Sequence, residues 1–404
     1  MTESYCIALQ PICDHKMRHI ADELLYRSSP TAHKAEFNDA VLATARASHI
    51  AFYEIGLERL VGKRLIFMNA PKQWLLSPDL LPPFSSQIVI EVLEDVVVDP
   101  VILKALSSIK RKGYKIALDD FVLSEKNSSL LQYADYVKID AWETISDDEL
   151  AYYKNKNIKL IAEKVETQSD FELLVKKGFD YFQGYFYSKP AVKPESVHDR
   201  LSNRQALMRL LAELQYEYVD YDKLIDLILL DPQLTYIILK HTNSAFYGLT
   251  SQVTSIHTAI HVLGLRRLRA LVASQLFVAT PGSVELLLPL VLTRAAMYES
   301  LALMNGLNGH LAFIVGVLSK MHLIFGDSYQ ELLAQLALSQ AEILQLETRE
   351  GRCGRLLGMI EAFEEGEVAK LTAEEVSLLN EVWLESRVWV EDVLCHIQEE
   401  GLSE

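Results

Sequence analysis

Six strand-like segments in the first half of the chain each end in a carboxylate or an amide: LIFMNA (Asn69), IVIEVLE (Glu91), YKIALDD (Asp119, Asp120), DYVKID (Asp140), KLIAE (Glu163) and YFQGY (Gln183). The steps between these residues are 22, 28, 21, 23 and 20. A strand, a helix and two turns occupy about that much chain, since a crossover alone needs at least ~10–12 residues. The pattern therefore predicts a (β/α) barrel with one polar side chain per strand around a single mouth. Carboxylates converging in one cleft repel each other unless a cation sits among them. The feature points to a metal-dependent site.

At 404 residues the chain has room for two or three domains. Cys6, Cys13, Cys353 and Cys395 are scattered and form no C-x-x-C pair, which fits a reducing cytoplasm better than a disulfide framework or a zinc ribbon. MTESYCIALQP has no basic start followed by an apolar run, so no secretory signal is read there. No stretch is read as reaching the ~18–20 apolar residues of a membrane span. The most apolar candidate, LAFIVGVLSKMHLIF, is broken by Ser319, Lys320 and His322 and reads as a buried core helix. A cytoplasmic protein with no membrane association is expected. The net charge of −16 argues against binding nucleic-acid polymers. Residues 196–404 are the more acidic half, at −12 against −4, which disfavours a DNA-binding regulator even if that half is helical.

Residues 1–195 alternate strand-like and helical runs, beginning with YCIALQPI and HIADELLYR. Helices are predicted over EFNDAVLATARASH, DPVILKALSSIKRKG and TQSDFELLVKKG, the last with Thr167 as N-cap and Gly178 as stop. Pro100 opens DPVILKALSSIKRKG, and Lys110, Arg111 and Lys112 close it ahead of Gly113. A boundary is placed in SKPAVKPESVHDR. From residue 200 to 404 apolar residues recur at helical spacing, punctuated by Gly248, Gly264 and Pro281–Gly282, so this half reads as all-α.

Two-metal phosphoester hydrolysis needs oxygen ligands on two divalent ions, and Mg²⁺ or Mn²⁺ takes Asp, Glu and amide carbonyls. Asn69, Glu91 and the adjacent Asp119–Asp120 pair supply such a set, and Lys138 would be a cation at the same mouth. A single acid after a strand is usually an N-cap or loop residue; six in register are harder to explain that way.

QPI, ELLYR, the Asn69 segment, IEVLE, ALDDF, VKID, AEKVET and QGYFYSKP together resemble the ordered motifs of EAL domains, the cyclic di-GMP phosphodiesterases and their inactive relatives, over residues 5–192. The resemblance implies a modified TIM barrel with one antiparallel strand. It implies Glu23, Asn69, Glu91, Asp119 and Asp120 as metal ligands. Glu163 would serve metal binding and water activation, Lys138 would be a catalytic lysine, and Asp140 its acidic partner in the strand-end motif. Gln10, Arg27 and Gln183 would hold the dinucleotide, a role that suits the guanidinium fork of Arg27. Glu166 would position the loop after the Asp pair. Three departures stand out. Val122 replaces a glycine in that loop and a later glycine is missing; the stretch from Asp119 to Lys138 is about two residues short; and Lys164 replaces a glycine in AEKVET. A β-branched residue does not readily take the positive φ a glycine allows.

DPQLTYIILKHTNSAFYG and SIHTAIHVLGLRRLRALV resemble the HDOD domain, a helical relative of HD phosphohydrolases, with Asn243 to Gly248 as the clearest signature. Ser319 and Lys320 occupy the place of the His-Asp metal pair, and such residues cannot replace it on a metal. This half is therefore expected to bind protein partners rather than catalyse. Asn243 and Ser244 are expected to close a helix. His257 and His261, at i, i+4, lack a third ligand and are read as packing or surface residues. Arg266, Arg267 and Arg269 are read as a solvated face, with a docking patch as the alternative. GRCGRLLG follows no strand and is not a P-loop. Two readings remain open: a cytoplasmic enzyme, possible as a homodimer, that hydrolyses cyclic di-GMP with Mg²⁺ or Mn²⁺ and signals through its helical half; or an inactive scaffold that binds the dinucleotide or only dimerises.

Overall fold

The computed structural model describes residues 5–28, 52, 55–78, 81–83, 85–143, 145–188, 200–244, 247–249, 252–278, 284–325, 328–336 and 338–401. The helix expected over EFNDAVLATARASH, nearly all of the SKPAVKPESVHDR boundary and the Pro281–Gly282 break lie outside them. The chain divides into two compact units, Met1–Lys189 with Thr372–Ser377, and Pro190–Leu371 with Leu378–Glu404.

The first unit is a closed eight-stranded barrel: β1 (Tyr5–Asp14), β2 (His19–Ser28), β3 (Leu65–Ala70), β4 (Ile88–Val92), β5 (Lys115–Leu118), β6 (Tyr136–Asp140), β7 (Lys159–Val165) and β8 (Tyr181–Gly184). β1 runs antiparallel to both β2 and β8, and every other neighbouring pair is parallel. Hence β1 and β2 are joined by a tight turn, while the parallel strands need crossovers. These carry the helices Leu57–Val61, Lys72–Leu76, Pro100–Arg111, Asp147–Asn155 and Gln168–Lys177, with a 3₁₀ turn at Ser128–Gln132.

Local sequence explains the helix ends. Asp99 caps Pro100–Arg111 by accepting from the Val101 and Ile102 amides, and Pro100 sits where no amide donor is needed. Thr167 and Asp170 form a reciprocal capping box, and Gly178 ends that helix in a left-handed conformation. Gly184 has a different task. A Cβ there would lie 2.1 Å from the Val165 carbonyl oxygen, so only glycine lets β7 and β8 approach.

The second unit is helical, from Arg200–Glu213 through the helices Val284–Met304 and Gly309–Phe325 to Ala373–Gly401. Those two central helices approach closely at Gly316, where a Cβ would meet the Ala295 Cα at 2.8 Å. Within the first, Leu286–Met304 is long and apolar enough to cross a membrane, contrary to the sequence expectation. It is also 83% buried inside the protein, as a core helix would be. Asn243 closes Pro232–Thr242 as expected, its amide donating to the Leu239 and Val253 carbonyls and accepting from the Val253 amide.

Candidate active site

The barrel interior is built in layers. Ile12, Ala21, Phe67, Val89, Ala117, Tyr136 and Ile161 form an apolar layer, with Leu65 and Tyr181 packed against it. Side chains on a strand return to the same face every second residue. Two residues beyond Ala21, Phe67, Val89, Ala117, Tyr136, Ile161 and Tyr181 stand Glu23, Asn69, Glu91, Asp119, Lys138, Glu163 and Gln183. On antiparallel β1 the direction reverses, and two residues before Ile12 stands Gln10. One strand-end layer thus contains eight of the residues singled out from the sequence.

Lys138 is the centre of that layer. Its side chain is 1% exposed, and its Nζ lies 2.8 Å from Glu91, 2.8 Å from Glu163, 2.9 Å from Asp119 and 3.1 Å from Glu23. Gln183 Nε2 donates to Glu23 Oε2 at 2.6 Å and to Gln10 Oε1 at 3.0 Å, and Asn69 Nδ2 donates to Glu23 Oε1 at 3.3 Å. Asn69 and Glu91 are register partners, as are Asp140 and Glu163.

One ammonium cannot offset four carboxylates. Burial would lower the Lys138 pKa, but Glu91, Glu23, Glu163 and Asp119 together hold it well above the usual lysine range. Glu91, Glu163 and Asp119 shift upward as well. Burial, with Glu23 and Asp119 adding to it, drives Glu91 well above the ordinary glutamate value despite Lys138. Burial, only partly opposed by Lys138, pushes Glu163 up to about 7 and raises Asp119. Glu91 Oε2 and Asn69 Oδ1 are buried acceptors with no hydrogen-bond donor. Uncompensated negative charge and orphaned hard oxygens fit a divalent cation such as Mg²⁺ or Mn²⁺. Among the described residues no three acidic, histidine or cysteine side chains form a ready metal cage; they converge on the ammonium instead.

Asp120, Asp140 and Glu166 lie outside this layer. Asp119 faces Lys138, whereas its neighbour Asp120 adopts φ 41 and meets Lys164 Nζ at 3.4 Å. Asp140 accepts from the Trp142 amide at 3.1 Å and pairs with Lys164 at 2.9 Å, contacts that hold its carboxyl below the usual range although partial burial opposes them. Glu166 follows β7 and is exposed. Arg27 stands on β2 opposite Cys6, with its side chain outside the described residues. Two groups carried no assigned role in the sequence. Glu94, at the end of IVIEVLE, hydrogen-bonds Asp120, and its carboxyl is raised by slight burial and by Asp120 and Asp119. Lys164 is the other.

Lys164 sits at φ 54 in a bulge of β7. The register passes from Ala162↔Phe182 to Val165↔Gly184, so Glu163 and Lys164 together oppose Gln183. A left-handed conformation costs a non-glycine residue about 1–2 kcal/mol, while an exposed ion pair returns roughly 0–1 kcal/mol. Val122, by contrast, has no positive φ. Among the described residues the non-glycine positions with positive φ are Met17, Asp120, Asn157, Lys164 and Arg349. The loop is closed by Asn127, which donates to the Val122 carbonyl and accepts from the Ser124 amide, both at 2.8 Å. The left-handed residue of this segment is Asp120, at φ 41.

The helical unit has its own buried charges. Ser319 Oγ donates to the Gly316 carbonyl at 2.7 Å and accepts from Arg294 at 3.1 Å, and Lys320 pairs with Glu364 at 3.3 Å. Arg294 also binds Glu364, and Glu361 joins it to Arg349. These are structural ion pairs. The arginine run is not a solvated face. Arg269 is buried against Glu299 at 2.5 Å, Arg266 binds Glu299 and stacks on Trp389, and Arg267 reaches Tyr247 and Asp392. His257 and His261 lie exposed with ring centroids 4.6 Å apart, His261 stacking on Tyr221.

The EAL-domain profile matches residues 72–190, a span that begins after Glu23 and Asn69, and the HDOD-domain profile matches residues 202–354. The cyclic di-GMP phosphodiesterase CdgJ of Vibrio cholerae is 30% identical over 378 residues, covering 89% of this chain and 85% of CdgJ. The uncharacterized protein YuxH of Bacillus subtilis is 34% identical over 274 residues, covering 65% of this chain and 66% of YuxH. The crystal structure of an EAL domain protein from Listeria monocytogenes matches 46% of this chain and 87% of that chain, at 26% identity and a TM-score of 0.37.

Proposed function

This chain belongs to the family of proteins that join an EAL domain to an HDOD domain, and on that footing we propose that it hydrolyses cyclic di-GMP to the linear dinucleotide with Mg²⁺ or Mn²⁺. The observation that carries the reading is the strand-end layer, in which Glu23, Glu91, Asp119 and Glu163 surround Lys138 at 2.8–3.1 Å beside the orphaned oxygens of Asn69 and Glu91.

Glu23, Asn69, Glu91, Asp119 and Asp120 are the groups that would hold divalent ions. Bound there, such ions would acidify a water nucleophile and offset phosphoryl charge. Glu163, with its carboxyl pushed up to about 7, is matched to accepting the water's proton near neutral pH. Lys138 steadies negative charge developing on a phosphate oxygen. Gln10, Gln183 and Arg27 orient the dinucleotide. Asp140 and Glu166 act at one remove, on the segments after β6 and β7. We assign this work to residues 1–195 in the cytoplasm. Residues 200–404 serve as a module for protein partners, and the barrel pairs in a homodimer.

Purified full-length protein incubated with cyclic di-GMP and Mn²⁺ should yield the linear product, detected chromatographically. Binding of cyclic di-GMP without turnover would replace the enzyme by a sensor. Light scattering tests the dimer, and capture of a specific cellular protein by full-length bait, lost on disrupting the helical unit's surface, tests the output module.

A further inference from the structure

We propose that the Lys164 ammonium is a built-in cation for the Asp120–Asp140 pair, so that the site takes one divalent ion tightly rather than two. This rests on the metal-dependent reading above. Asp119 and Asp120 are adjacent in sequence yet serve different cations, Asp119 the buried Lys138 and Asp120 the exposed Lys164. The bulge in β7 makes that split possible. It sends Glu163 inward to Lys138 and Lys164 outward, to 2.9 Å from Asp140 and 3.4 Å from Asp120.

A glycine would occupy φ 54 without strain, and the ion pairs of an exposed lysine do not outweigh that strain as a matter of stability. What the lysine supplies is a positive charge tethered beside two carboxylates. An ion approaching Asp120 must displace an ammonium whose effective concentration is set by its tether, not by the solution. In the inner layer Lys138 holds Glu23, Asp119, Glu163 and Glu91 Oε1, but two oxygens face no ammonium. Glu91 Oε2 and Asn69 Oδ1 are buried, unpaired and on the far side of Asp119 from Lys164's partners, so the first ion is retained while the second is excluded.

The test counts Mn²⁺ bound to full-length protein by equilibrium dialysis with electron paramagnetic resonance. Wild type should bind one ion tightly. Lys164→Gly, which also relieves the backbone, and Lys164→Gln, which removes charge alone, should each bind a second at least tenfold more tightly than wild type does. Two equally tight ions in wild type, or variants that bind as wild type does, overturn the proposal and leave the metal-dependent reading standing. No Mn²⁺ bound by any of the three overturns both.

Discussion

Gln183 Nε2 donates to Glu23 Oε2 at 2.6 Å, joining residues 160 positions apart. Glu23 also accepts from Asn69 and pairs with Lys138. Closing the barrel and assembling the site are therefore one event, because each strand delivers its group only when its neighbours are in register.

Glu23→Ala should lower turnover of cyclic di-GMP by at least about 10²-fold, the scale of losing one transition-state contact. Lys138 keeps three carboxylates in this variant, so the fold should persist. Product formation together with circular dichroism checks both halves of the claim. Turnover near wild type would remove Glu23 from the chemistry.

Glu91→Gln should raise the melting temperature measured in a chelator while abolishing activity. The carboxyl is fully buried, crowded by Glu23 and Asp119, and one of four sharing a single ammonium. Removing a repelling charge worth about 1 kcal/mol corresponds to roughly 2–4 °C for a unit of this size. A lower melting temperature would mean the layer is already balanced.

Lys138→Met should do the reverse, stranding four carboxylates at a cost of about 3–5 kcal/mol. Millimolar Mn²⁺ should recover part of the loss, a rescue that a simple packing defect would not show. Thermal unfolding with and without the ion distinguishes them.

The helical unit should weaken in acid through Glu364. Arg294 and Lys320 outweigh burial and hold its carboxyl below the usual glutamate value. With the folded pKa depressed, its stabilising contribution is complete above the ordinary value near 4.5 and is lost as pH falls through the lower folded value. Urea titrations between pH 7 and pH 3 should show this slope, and Glu364→Gln should flatten it.

The layer of polar strand ends was legible because a two-residue period and a strand–helix repeat are both local properties. Glu23 was less so. It sits mid-segment in HIADELLYR, and only the family motif drew attention to it. Lys164 could be marked as a departure but not given a role, since its left-handed backbone follows from the pairing of β7 with β8. The arginine run misled for a related reason. Glu299, which neutralises Arg266 and Arg269, comes from a different helix some thirty residues on, and no spacing rule connects the two. In the same way the apolar run Leu286–Met304 carries Arg294 and Glu299, charges that a sequence window counts against burial and that the fold pairs internally.

The antiparallel course of β1 has a consequence for how the barrel comes apart. This strand is held to β8 by only three register pairs, Ile12↔Gln183, Cys13↔Phe182 and Asp14↔Tyr181, against nine with β2. Opening at that seam would leave the β1–β2 hairpin attached through β3, part Gln10 and Glu23 from Gln183 and give β8 a bare edge. An opening there would break the mouth while the parallel strands stayed in register, so the site would be lost before the sheet.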